Sequence, residues 1–143
     1  MRKTIIISAL CAVLAIPALA AAAKIRHSGK IVGDDDSRVT LRVTKKSGEI
    51  RKISGFKANG VLIRCESGNG QFDFTITGSI PVNAKQTFKA RLPNVNNENE
   101  KLRVSGKVRK RGREVVGNIK TNKLTQNGET CDVPKQRFNT GKT

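Results

Sequence analysis

Between Val61 and Ile76 the chain alternates apolar and polar residues on both sides of a short polar loop. Val61, Ile63 and Cys65 lead into Ser67-Gly68-Asn69-Gly70, and Phe72, Phe74 and Ile76 follow. This is the pattern of a β-hairpin with one buried face. A symmetric loop sets Cys65 opposite Phe72, Ile63 opposite Phe74 and Val61 opposite Ile76, so all the apolar side chains share one side. A one-residue slip would send a whole apolar set to solvent, so this hairpin is the expected centre of the core. Ile63, Phe72, Phe74 and Ile76 are therefore expected to be nearly fully buried.

The chain begins with an address. Arg2 and Lys3 precede an almost wholly apolar run from Thr4 to Leu19, and small residues continue through Ala23. Residues 1–23 read as a cleavable signal peptide and residues 24–143 as one domain, exported to the cell envelope or beyond it. An uncleaved membrane anchor is the alternative, which the small residues disfavour. Cys11 would leave with the signal, so Cys65 and Cys131 remain in an oxidising compartment and are expected to form one disulfide. Free thiols or a shared metal are the rival readings, but two Cys with a single His make a poor zinc set.

Further alternations mark the other strands. Val39, Leu41 and Val43 alternate with polar residues, as do Phe88, Ala90 and Leu92. Ile50, Ile53 and Phe56 are spaced by three, so either a β-bulge near Lys52 re-aims the chain or one of them is exposed. Residues 93–100, with four Asn, read as a loop. A second hairpin turns at Lys110-Arg111-Gly112-Arg113 and pairs Val108 with Val115, Gly106 with Gly117 and Val104 with Ile119. Asn127-Gly128 is a further turn, and Phe138 a late core residue. The sum is an all-β fold: a single antiparallel β-sandwich, or flattened barrel, of about eight or nine short strands after the signal segment.

Ser28-Gly29-Lys30-Ile31, Gly55-Phe56-Lys57-Ala58, the strand ending in Cys65, Ile80-Pro81-Val82 and Cys131 occur in an order that resembles uncharacterised secreted bacterial β-sandwich domains. The resemblance implies fold and export, and carries over no functional residues. The Cys65–Cys131 spacing is also similar to that of the immunoglobulin fold. A chain without Trp or Tyr lacks that fold's buried core Trp and tyrosine corner.

Catalytic motifs are missing. His27 is the only His and, lying near the mature terminus, is expected at the surface without a nucleophile beside it. Asp73 and Glu66 alternate onto the polar face of the first hairpin, so paired-carboxylate chemistry has no pocket. Asp34-Asp35-Asp36-Ser37 and the run from Asn96 to Glu100 offer oxygens for calcium, but lack the spacing of a calcium loop and suit turns. No catalytic residue, metal or cofactor is expected.

Charge is the remaining signal. The chain has 28 Lys and Arg against 11 acids, a net charge of +17. Removing residues 1–23 leaves 26 against 11, or +15. Solubility asks only about 2–8 of a small domain. Lys101, Arg103, Lys107 and Arg109 share one parity, opposite to Leu102, Val104 and Val108. Lys110, Arg111 and Arg113 extend the group into the turn, while Arg38 with Arg42 and Lys89 with Arg91 repeat it on other strands. If these strands share a sheet, its outer face is a cationic field able to hold a polyanion. Without Tyr or Trp there are no stacking platforms, and an exported protein rarely meets chromosomal DNA, so nucleic acid is not the expected partner. Anionic wall polymers or lipid headgroups fit better. The alternatives are a protein-interaction or structural module and, further off, a hydrolase with an unrecognised site.

Overall fold

The computed structural model of the protein describes residues 21–143, so most of the expected signal segment lies outside the described residues. The strands are β1 (Ala23–Ile31), β2 (Arg38–Lys46), β3 (Glu49–Cys65), β4 (Gly68–Thr75), β5 (Ser79–Pro81), β6 (Thr87–Asn94), β7 (Asn97–Arg109), β8 (Glu114–Gln126) and β9 (Glu129–Lys142). All pairings are antiparallel within one sheet of order β4-β3-β2-β1-β9-β8-β7-β6, with β5 against β3. Two meanders, β1–β4 and β6–β9, are thus joined where β9 lies beside β1. The sheet's two ends meet through an Ile76–Asn94 bridge and a Val95 N–H to Thr75 carbonyl bond of 2.7 Å. The fold is the expected all-β class, curled into a flattened barrel.

Several strands are long, not short: β3 runs 17 residues and β9 runs 14. Three bulges on β3 let it follow the curl. Lys52 faces Thr44 while Ile50 faces Lys45, leaving Arg51 as an extra residue. A second irregularity falls at Gly55 (φ +58°), between the Thr40–Lys57 and Arg42–Ser54 pairs. With these two re-aimings Ile50, Ile53 and Phe56 are all buried, which a flat strand forbids. The third bulge is at Gly60 (φ +73°), whose N–H donates to Asp73 Oδ1 at 2.9 Å.

The first hairpin is buried but shifted. Cys65 faces Gly68, Ile63 faces Gly70 and Val61 faces Phe72, and after the Gly60 bulge Ala58 faces Phe74. The turn is therefore Glu66-Ser67, and Gly68 to Gly70 belong to a strand. Ile63, Phe74 and Ile76 are buried as expected, whereas Phe72 is only half-buried. The reason is position: β4 ends the strand order, and Phe72 borders an open groove with Asn94, Asn96 and Asn97. The hairpin is an end of the sheet and not its centre.

The second hairpin has the expected register, with Val108 opposite Val115, Gly106 opposite Gly117 and Val104 opposite Ile119. The glycine pair continues sideways into Phe88 on β6 and Phe138 on β9. A Cβ on Gly106 would come within 2.7 Å of the Phe88 ring, and one on Gly117 within 2.6 Å of the Phe138 ring. The two rings thus occupy the space that the glycines leave, and Phe138 is fully buried.

The expected loop at residues 93–100 is instead a tight hairpin with a wide bulge. Asn94 pairs with Asn97 and Pro93 with Lys101, which turns Glu100 inward. Its carboxylate accepts from Asn94 Nδ2 at 3.0 Å and Asn97 Nδ2 at 3.2 Å. Asn94 Oδ1 in turn accepts from Thr75 N–H at 3.4 Å, so this buried polar group bridges the two ends of the sheet.

Cys65 and Cys131 form the expected disulfide. They face each other in a short β3–β9 pairing, and beside them Gln136 exchanges two hydrogen bonds with the Leu62 backbone. The bond therefore ties the first meander to the last strand of the second.

Candidate functional site

On β7 every second residue points to solvent. Leu102, Val104 and Val108 are buried, while Lys101, Arg103, Lys107 and Arg109 are exposed in a row, alternate positions about 7 Å apart. Cross-strand register widens the row. Arg103 faces Arg91 on β6 and Lys120 on β8, which sets three cations abreast over about 10 Å. Lys89 and Arg137 lie in the next rank, with Ser105 and Asn118 between them. Like charges directly opposite one another disfavour the sheet. Among the described residues the ion pairs are Lys30–Asp35, Arg51–Glu49 and Lys110–Glu114, and none includes the four cations of the row.

The turn residues are placed differently. Lys110, Arg111 and Gly112 take successive left-handed conformations (φ 49°, 56° and 91°), which Cβ-bearing residues adopt only at some cost. Lys110 Nζ pairs with Glu114 Oε2 at 3.5 Å. Arg111 and Arg113 are exposed at this end of the barrel, and Gly112 is packed against Ile50. The row of four and this turn cluster meet at Arg109, but Lys110 already has a partner.

Lys120 and Arg137 were not singled out in the sequence, although each alternates with a core residue, Ile119 and Phe138. Arg38 and Arg42 belong elsewhere. β2 is four places from β7 in the strand order, and the curl turns the two strands to different sides. The cationic surface is therefore two fields and not one.

His27 corrects an expectation. It is 2 % exposed and its Nε2–H donates to the Gly112 carbonyl at 2.9 Å, holding the Lys110–Gly112 turn over the barrel end. It shares its parity with Ile25 and Ile31, a signal of an inward residue that its place near the terminus obscured. Burial lowers its pKa below 6.5, against the smaller upward pull of the Gly112 and Thr140 backbone. The unfolded chain therefore takes up a proton more readily, so stability should fall as pH drops through 6.5 toward the folded-state value. In urea titrations across that range, His27→Gln, which keeps a donor for Gly112, should flatten the dependence. Parallel pH profiles for the two proteins would exclude His27 as its source.

The two oxygen-rich runs are used locally. Asp34 Oδ1 accepts from the N–H groups of Asp36 and Ser37, and Glu100 is held by its two asparagines. Cys65, Cys131 and Glu129 lie close together, but their sulfurs are bonded to each other and are not metal donors in this form. No protein-family model, curated protein or solved structure matches the chain. Fold and surface together define a disulfide-closed all-β domain with an outer face on β6–β8 whose row of cations forms no ion pair among the described residues.

Proposed function

We propose that this chain is an exported, non-catalytic binding module whose β6–β8 face holds the phosphate-rich surfaces of the cell envelope, anionic wall polymers or lipid headgroups. The supporting observation is the Arg91–Arg103–Lys120 rank crossed by the Lys101–Arg109 row, none of it in an ion pair among the described residues, with Glu114 opposite Arg109 the one acid facing the row across the β7–β8 register. An array of this kind meets a flexible polyanion without base or sugar stacking, and each contact releases a counterion.

Binding to purified anionic wall polymer and to anionic vesicles should therefore weaken steeply as salt rises. Arg103→Gln with Arg109→Gln should lower both the affinity and the salt slope while leaving thermal stability nearly unchanged, because exposed charges contribute little to folding. Retention of the double variant equal to wild type would reduce the face to a solvated surface. Binding that barely responds to salt would instead favour recognition of a protein partner along a strand edge.

A further inference from the structure

On the other side of the barrel, β1, β2 and β3 form a groove of about 420 Å³ lined by Arg26, Arg38, Arg42 and Lys57 with the Ser28 and Thr40 hydroxyl-bearing residues. We infer that this groove is a discrete site for a compact phosphate, a phosphate monoester or a diphosphate. It is a different site from the β6–β8 face and stands or falls independently of it.

Register builds the groove. Ser28, Thr40 and Lys57 lie abreast across the three strands, and Arg26 faces Arg42 in a neighbouring rank. Arg38 follows on the same face of β2, two residues from Thr40. The outcome is a floor with hydroxyl groups bordered by three guanidinium groups and one ammonium.

Two further observations separate this from a merely basic surface. The first is the bulge at Gly55. Its left-handed backbone (φ +58°) is a conformation that favours glycine, and the Arg42 guanidinium lies beside it, Nε and Cζ each 3.8 Å from where a Cβ would stand. A guanidinium fork placed there can clasp two oxygens of a phosphate.

The second is the absence of acidic side chains. No Asp or Glu lines the groove, and no ion pair among the described residues involves its four cations. Thr143 reaches the rim, where its N–H and Oγ1 donate to the Arg26 carbonyl, but its carboxylate makes no ion pair among the described residues. Arg26 opposite Arg42 is a repulsive pair that a bound dianion turns into an attractive one. The forked donors and hydroxyls favour phosphate oxygens over a single carboxylate.

The experiment titrates the full chain with inorganic phosphate and with pyrophosphate, by calorimetry and by thermal shift, at low and moderate salt. Wild type should bind pyrophosphate at one saturable site and melt higher in its presence. Arg42→Gln and, separately, Lys57→Gln should each weaken binding about tenfold or more, and both replace exposed residues, so folding is retained. The Arg103→Gln/Arg109→Gln double variant should bind pyrophosphate as wild type does. Phosphatidylcholine vesicles carrying phosphatidate distinguish the source: capture of these vesicles that is lost in Arg42→Gln assigns a headgroup, and binding of free pyrophosphate alone assigns a soluble phosphate. No saturable binding, or equal affinity in Arg42→Gln and wild type, would overturn the inference. Equal losses in the groove variants and the β7 double variant would do so as well, since they would show diffuse charge in place of a site.

Discussion

Replacing Phe74 by alanine is expected to destabilise the protein by about 3–5 kcal/mol. The ring is 1 % exposed, belongs to the single core cluster and packs edge-on against Phe72 with centroids 4.3 Å apart. Alanine removes its transfer energy and leaves a cavity. That cavity cannot collapse easily, because the neighbouring backbone is held on one side by the Gly60 bulge and its Asp73 contact, and on the other by the Asn94–Glu100 group. The cost should therefore lie toward the upper part of the range. Urea denaturation monitored by circular dichroism measures it directly. A loss below about 1 kcal/mol would show that the β4 end of the barrel can loosen without the rest.

Loss of the disulfide should be comparable in size. Cys65 and Cys131 are separated by 66 residues, and by loop entropy a bridge of that span contributes roughly 4 kcal/mol, an upper-end figure. Changing both residues to Ser removes the bond without leaving a lone thiol, and should lower the melting temperature by about 10 °C or more, on the roughly 4 °C per kcal/mol expected for a domain of this size. The loss should be concentrated where β9, still paired with β8 at Leu124–Cys131, also meets β3, so hydrogen exchange at Leu62 and Arg64 is expected to rise most. Native protein that releases two reactive thiols without denaturant would contradict the bridge, and an unchanged melting temperature would contradict its stabilising role.

Alternation along the chain determined which side chains face inward. This is a local consequence of the pleat, since successive Cβ atoms in a strand point to opposite faces whatever lies beside them. Hence the all-β class, the inward Leu102, Val104 and Val108, and the outward Lys101, Arg103, Lys107 and Arg109 were legible before any pairing was known. His27 obeys the same rule, with Ile25 and Ile31 on its face. The two cysteines that pair, Cys65 and Cys131, are the only ones among the described residues.

Partners across strands were decided by the tertiary structure. For the second hairpin local pattern and register agree, because the Gly106–Gly117 pair fits only where Phe88 and Phe138 flank it. The first hairpin shows the limit. Moving the partner of Val61 from Ile76 to Phe72 is a shift of four, an even number, so each side chain keeps its face and period-two reasoning cannot detect the change. The Gly60 bulge and the tie of Cys65 to β9 select that register, and both depend on residues far away in the chain. The same holds for the charges. Parity turns Arg42 and Arg103 outward, but their division between two sides of the barrel follows from closure of the sheet at Ile76 and Asn94, which no stretch of sequence contains by itself.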